Sequence, residues 1–268
     1  MLLFILLGIT AGSIAASINS FKDAPYENFS WLKFFRSFVL GSLVGLLYYY
    51  FYQKGLVVFE NLGILLLAMI PAERVSAEMY KGFIKTSHHF EYVHALNRLG
   101  LPHNVYFLKL ILAIPVLAIL IGIVAISTWI ASNVLVTGLP FILKGIIIGF
   151  FAPMTIAIGG GVKDSQFEGF DIKKFFRTPL VGIFAGTFLL IFTEEPVLLV
   201  MSTIGLERTL VECYKTFITR RVRGVHQGKS IQYPEWHPNK RWVFFLPWSV
   251  SVIIIFTLLF SGVVVPLP

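Results

Sequence analysis

Two stretches of this chain are too long and too apolar to fold in water. Met1–Phe21 runs 21 residues without a charged side chain, and Trp242–Val265 runs 24. In a bilayer the backbone must satisfy its own polar groups, and a helix of about 20 apolar residues matches the hydrocarbon thickness. Met1–Phe21 lacks the basic leader of a signal peptide and reads as a first span. Six more candidates lie between the two: Ser37–Gln53, Leu56–Ala72, Val105–Ala131, Phe141–Gly160, Thr178–Thr193 and Pro196–Leu206. The second ends in Tyr48, Tyr49, Tyr50 and Tyr52, side chains suited to a membrane–water interface. Pro196–Leu206 is the shortest, with 11 residues, and crosses only if its helix continues past Glu207.

Composition agrees. Hydrophobic residues make up 56% of the 268-residue chain and charged ones 13%, against about 25% charged in soluble domains. This excludes an ordinary soluble enzyme and a disordered chain. The single cysteine, Cys213, excludes a disulfide scaffold.

Charge placement tests the count of spans. If all eight segments cross, four loops share one side: Phe21–Arg36, Glu73–Asn104, Gly161–Arg177 and Glu207–Arg241. They hold 3, 4, 4 and 8 Lys or Arg, 19 of the 22 in the chain. The other side holds Lys54, while Lys109 and Lys144 sit just inside spans. If the third and seventh segments turn back instead, the split falls to 11 against 9. The positive-inside rule selects eight crossings, cytoplasmic basic loops and extracytoplasmic termini.

The chain also repeats itself. Residues 22–45, KDAPYENFSWLKFFRSFVLGSLVG, match residues 163–186, KDSQFEGFDIKKFFRTPLVGIFAG, at 10 of 24 positions. Residues 73–85, ERVSAEMYKGFIK, match residues 207–219, ERTLVECYKTFIT, at 7 of 13. We read an all-α polytopic protein of two tandem four-helix repeats, residues 1–134 and 135–268. An even number of spans per copy makes the copies parallel, related by a pseudo-two-fold axis along the membrane normal.

Two polar clusters recur. The first joins Lys22, Asp23, Glu27, Lys33 and Arg36, repeated as Lys163, Asp164, Glu168, Lys174 and Arg177. Acids four apart could share a divalent ion, and the KFFR stretch suits a headgroup interface, with Phe34 and Phe35 buried. The second is Glu73, Arg74, Glu78 and Lys81, repeated as Glu207, Arg208, Glu212 and Lys215. Its helical spacing forms a charged face, and pairing of Arg74 and Arg208 across the copies would make it a gate.

These clusters carry three functional readings. The first is a transporter or channel-like protein with a pathway between duplicated halves, the charged motifs acting as gate or structural network. The second is a non-catalytic subunit or scaffold of a larger complex. The third is a membrane enzyme acting on lipid or prenyl phosphate headgroups at the cytoplasmic face. No catalytic residue, metal site or cofactor is assigned. The spacing Glu91-x-x-His94 has no second copy, and all six histidines fall in loops. Anionic membrane lipids are the expected partners, with a protein partner or second copy as a further option. The basic run Arg220, Arg221, Arg223 and Lys229 lies under the bilayer and points away from nucleic acid.

Overall fold

A computed structural model describes residues 1–59, 61–80, 106–154, 156–158, 171–219, 230–236 and 239–261. Among these residues the chain is all helical. Eight α-helices follow in order: α1 Leu2–Glu27, α2 Trp31–Gln53, α3 Leu62–Met79, α4 Tyr106–Leu135, α5 Phe141–Phe151, α6 Ile172–Leu189, α7 Pro196–Cys213 and α8 Phe245–Phe260. A π-helical turn, Tyr214–Ile218, extends α7, and the 3₁₀ turn Lys240–Phe244 leads into α8.

Five helical stretches are long and apolar enough to cross a membrane: Leu2–Glu27, Trp31–Gln53, Leu117–Leu135, Phe141–Ile158 and Lys240–Phe260. The protein is an integral membrane protein on that ground. The apolar part of α6, Phe175–Leu189, is shorter, and α3 and α7 are not among the five. Their chemistry explains this: each ends in the charged Glu-Arg segment, which puts three charged side chains into an 18-residue helix.

Local signals set the helix ends. The Ser30 side chain accepts from the Lys33 amide and caps α2, so α2 begins at Trp31 rather than at Ser37. Asn61 accepts from the Gly63 and Ile64 amides and starts α3 at Leu62 rather than at Leu56. Pro196 occupies the first turn of α7, where its missing N–H costs nothing, and Glu195 caps it. α5 ends at Phe151, but helix resumes after a short break and the apolar stretch runs on to Ile158, in line with the expected fifth span. Pro153, at that break, has no N–H to give a continuing helix.

Glycines decide how the helices pair. α1 and α2 cross backbone to backbone: a methyl group on Gly8 would collide with the Gly41 carbonyl, and one on Gly12 with the Ser37 carbonyl. α5 and α6 repeat this joint, with Gly149 against Gly182 and Gly145 against Thr187. Such small-residue faces let membrane helices gain van der Waals contact where no hydrophobic force separates helix from lipid.

The core lies around α3. From Leu62 to Pro71 every residue of it is buried. α1, α2, α7 and α8 all pack against it. The Asn61 amide donates to the Leu259 carbonyl of α8 at 2.9 Å, and the Tyr48 hydroxyl of α2 donates to the Ala68 carbonyl at 3.1 Å. α7 crosses α3 where Gly205 meets the Leu67 carbonyl and Pro71. α4 packs against α5 and α7, while α8 packs against α1 and α3. The last helix of each sequence half therefore lies against helices of the other half.

Candidate functional site

The C-terminal ends of α1, α3 and α7 gather at one end of the bundle with the start of α8. Aromatic contacts hold this end together. The Phe21 ring lies 4.9 Å from Phe217 and 5.3 Å from Trp242, and the Arg241 guanidinium sits over it at 4.7 Å. A short strap closes the end: the Gln232 and Tyr233 amides donate to the Pro25 carbonyl, and Trp236 Nε1 donates to the Asn28 side chain.

Charge enters this apolar end along the helices. α3 and α7 turn from apolar to charged within one residue, at Glu73-Arg74 and Glu207-Arg208, yet both acids stay buried. Glu73 is 1% exposed and Glu207 0%. A small cavity of about 30 Å³ lies between α1, α3 and α7, large enough for a water molecule. Its wall includes Glu73 and Arg74 from α3, Arg208 and Glu212 from α7, and Ile14 and Ile18 from α1. The two Glu-Arg segments that match in sequence thus face one space.

Glu212 is the hub. Lys22 of α1 donates to its Oε2 at 2.5 Å, Arg208 contacts Oε1 at 3.1 Å, and Lys215 lies 3.9 Å away. The Lys22 and Glu212 side chains are 9% and 8% exposed. Removing two charges from water costs several kcal/mol per ion, and only close pairing offsets it. Lys215, on the π-helical turn beyond α7, has its pKa lowered to about 8. Burial is the main cause, and Arg208, Arg177 and Lys22 add to it, while Glu212 opposes them. Glu207 lies beside this hub, with the Thr178 side chain of α6 as its polar neighbour. Arg208 and Lys215 are the positive charges acting on it.

The other expected residues fall into place around this hub or outside it. Arg74 pairs with Glu78 on its own helix at 2.7 Å, and Lys22 makes an ion pair between the sequence halves. Asp23 and Glu27 do share α1, but Glu27 is turned to Lys33 at 2.8 Å in an exposed pair. Such a pair contributes little. Among the described residues no three His, Cys, Asp or Glu side chains gather as a metal site. Phe34 is partly buried, whereas Phe35 is 51% exposed. Arg36 lies over the Tyr80 ring, and Arg177 on α6 is among the charges acting on Lys215. Lys174 belongs to α6. Lys81, Lys163, Asp164, Glu168, Glu91, His94 and the basic run Arg220, Arg221, Arg223 and Lys229 lie outside the described residues.

Comparison with protein-family models, characterised proteins and solved structures finds no match.

Three features of the site escape a reading of charge patterns. The glycine faces were present as small residues four apart: Gly8 and Gly12, Gly41 and Gly45, Gly145 and Gly149, Gly182 and Gly186. Tyr80 recurs as Tyr214 in the second motif and so carried a signal. The link from Lys22 to Glu212, 190 residues apart, had none.

Proposed function

We propose that the chain is a two-fold membrane transporter or channel-like protein whose charged cluster closes one end of a pathway between α3 and α7. In this reading all eight helices cross, the two halves arose by duplication and lie parallel, and the cluster faces the cytoplasm. The observation that carries it is the shared cavity. Both Glu-Arg segments meet there, bridged to α1 through Glu212 and Lys22. A joint meant only to hold helices together is at least as stable when built from apolar side chains, because buried ions lose hydration. Buried ionisable groups within a helical membrane bundle instead mark places where water, ions or substrate come and go. Above the cluster the α3/α7 crossing is packed shut at Gly205 and Leu67, which corresponds to a closed state.

The test needs no known substrate. Thr203 is fully buried on α7. Thr203→Cys in a Cys213→Ser background reports water access through its reaction with a membrane-impermeant maleimide in reconstituted vesicles. Lys22→Met or Glu212→Gln should raise the labelling rate by about tenfold, equivalent to a shift of about 1.4 kcal/mol in the closed–open balance. Lys22→Arg, which keeps the charge facing Glu212, should keep the slow rate. Unchanged labelling in folded variants sinks the gate. It would favour the scaffold reading, for which the tightly packed interior around α3 speaks.

A further inference from the structure

The start of α2 carries a second feature that the gate does not use. A groove of about 390 Å³ is walled by Trp31, Leu32, Phe35, Val39 and Leu40, with Arg36 and Tyr80 as its polar members. This is within the range of small-molecule sites, roughly 300–1,000 Å³. Leu32 is 87% exposed, and Trp31 and Val39 are also open. In water that wall would be a liability, whereas at the edge of a bilayer it is where an acyl chain lies.

Arg36 supplies the specificity. Its guanidinium sits over the Tyr80 ring, 5.6 Å from the centroid. That cation–π contact fixes the guanidinium without using its donors. Among the described residues no hydrogen bond or ion pair engages this guanidinium, which lines the groove. A guanidinium held in one orientation with donors to spare is suited to two parallel bonds to a phosphate. Lys33, three residues earlier, is exposed beside Glu27, and Arg36 is the cation that lines the groove. Trp31 begins the candidate span Trp31–Gln53, and tryptophan at a span's end suits the headgroup level.

We propose that this groove binds one anionic phospholipid, with its phosphate on Arg36 and an acyl chain along Leu32, Phe35, Val39 and Leu40. An anionic headgroup is selected over a zwitterionic one because the latter brings its own cation to Arg36. This inference is independent of the gate: it needs a membrane setting, not a transport cycle.

Native mass spectrometry of the detergent-purified chain tests it, with phosphatidylglycerol and phosphatidylcholine of identical acyl chains as probes. Wild type should retain one phosphatidylglycerol with about tenfold preference over phosphatidylcholine, the scale of a charge-assisted pair. Arg36→Gln should remove that preference, and Lys54→Gln, the same loss of charge elsewhere, should leave it intact. Arg36→Lys should keep only part of it, because an ammonium lacks the planar pair of donors. Leu40→Trp, which fills the groove, should weaken both lipids alike and covers the case in which Arg36→Gln fails to fold. Equal retention of the two lipids by wild type overturns the proposal. So does an equal loss of preference in Arg36→Gln and Lys54→Gln, since binding would then follow net charge.

Discussion

In the α1/α2 pair, Gly8 rests on the backbone of Gly41. In the α5/α6 pair, Gly149 rests on the backbone of Gly182. The joints are alike, and the surroundings are not. The apolar window of α1 is 56% buried, because α3, α7 and α8 also pack on it, while that of Phe141–Ile158 is 35% buried. α1 carries Lys22 into the charged hub. A glycine face therefore makes a helix pair, but position in the bundle decides whether the pair joins the site. The same contrast separates the two charged motifs. Glu212 is 8% exposed and faced by three cations, whereas Glu78 is 22% exposed beside Arg74.

The strongest way to break this contrast is to remove one partner of the buried pair. Lys22→Met should cost about 3–5 kcal/mol, because it leaves Glu212 short of its counter-charge in a dry setting. Glu78→Gln should cost distinctly less. Reversible unfolding in mixed micelles measures both, and equal losses would mean that the motifs are equivalent after all.

The glycine joints come next. Gly8→Ala should destabilise by about 1–3 kcal/mol through overpacking, since its new methyl meets backbone that cannot give way. Gly149→Ala should cost less, because the less enclosed α5/α6 pair can shift outward. A larger loss in Gly149→Ala would reverse the assignment of α1 as the enclosed helix.

The smallest effect is in pH. With its folded pKa near 8 and its ordinary value of 10.5, Lys215 gives up its proton earlier in the folded protein than in the unfolded chain. Between those values the unfolded state binds more protons, so stability gains an upward slope as pH rises. The cost of holding Lys215 charged is fully present below pH 8 and lifts through that window. Thermal midpoints of wild type and Lys215→Met should converge or cross on going from pH 8 to 10.5. Parallel curves would show that Lys215 is not held by burial.

Much of the helical layout was legible. Apolar runs locate all eight helices, because the need to satisfy backbone groups is local to each segment. The ends were less legible when judged by charge. α2 and α6 begin at Trp31 and Ile172, ahead of the expected Ser37 and Thr178, and take Lys33, Arg36 and Arg177 into their first two turns. A charged side chain does not end a helix, and caps such as Ser30 and Asn61 begin one.

The site divides in the same way. Sequence by itself determined that the chain is helical and apolar, that its charges cluster in matching segments, and that Glu73-Arg74 and Glu207-Arg208 each end an apolar run. Those properties depend on neighbours along one helix. Only the tertiary structure decided that the two segments share a cavity, that Lys22 reaches Glu212, and that Glu207 is sealed from solvent. These follow from how closely α3, α7 and α1 approach one another. That approach is set by Gly205 against Leu67 and by which faces pack, and contacts between residues far apart in the chain leave no trace in local periodicity.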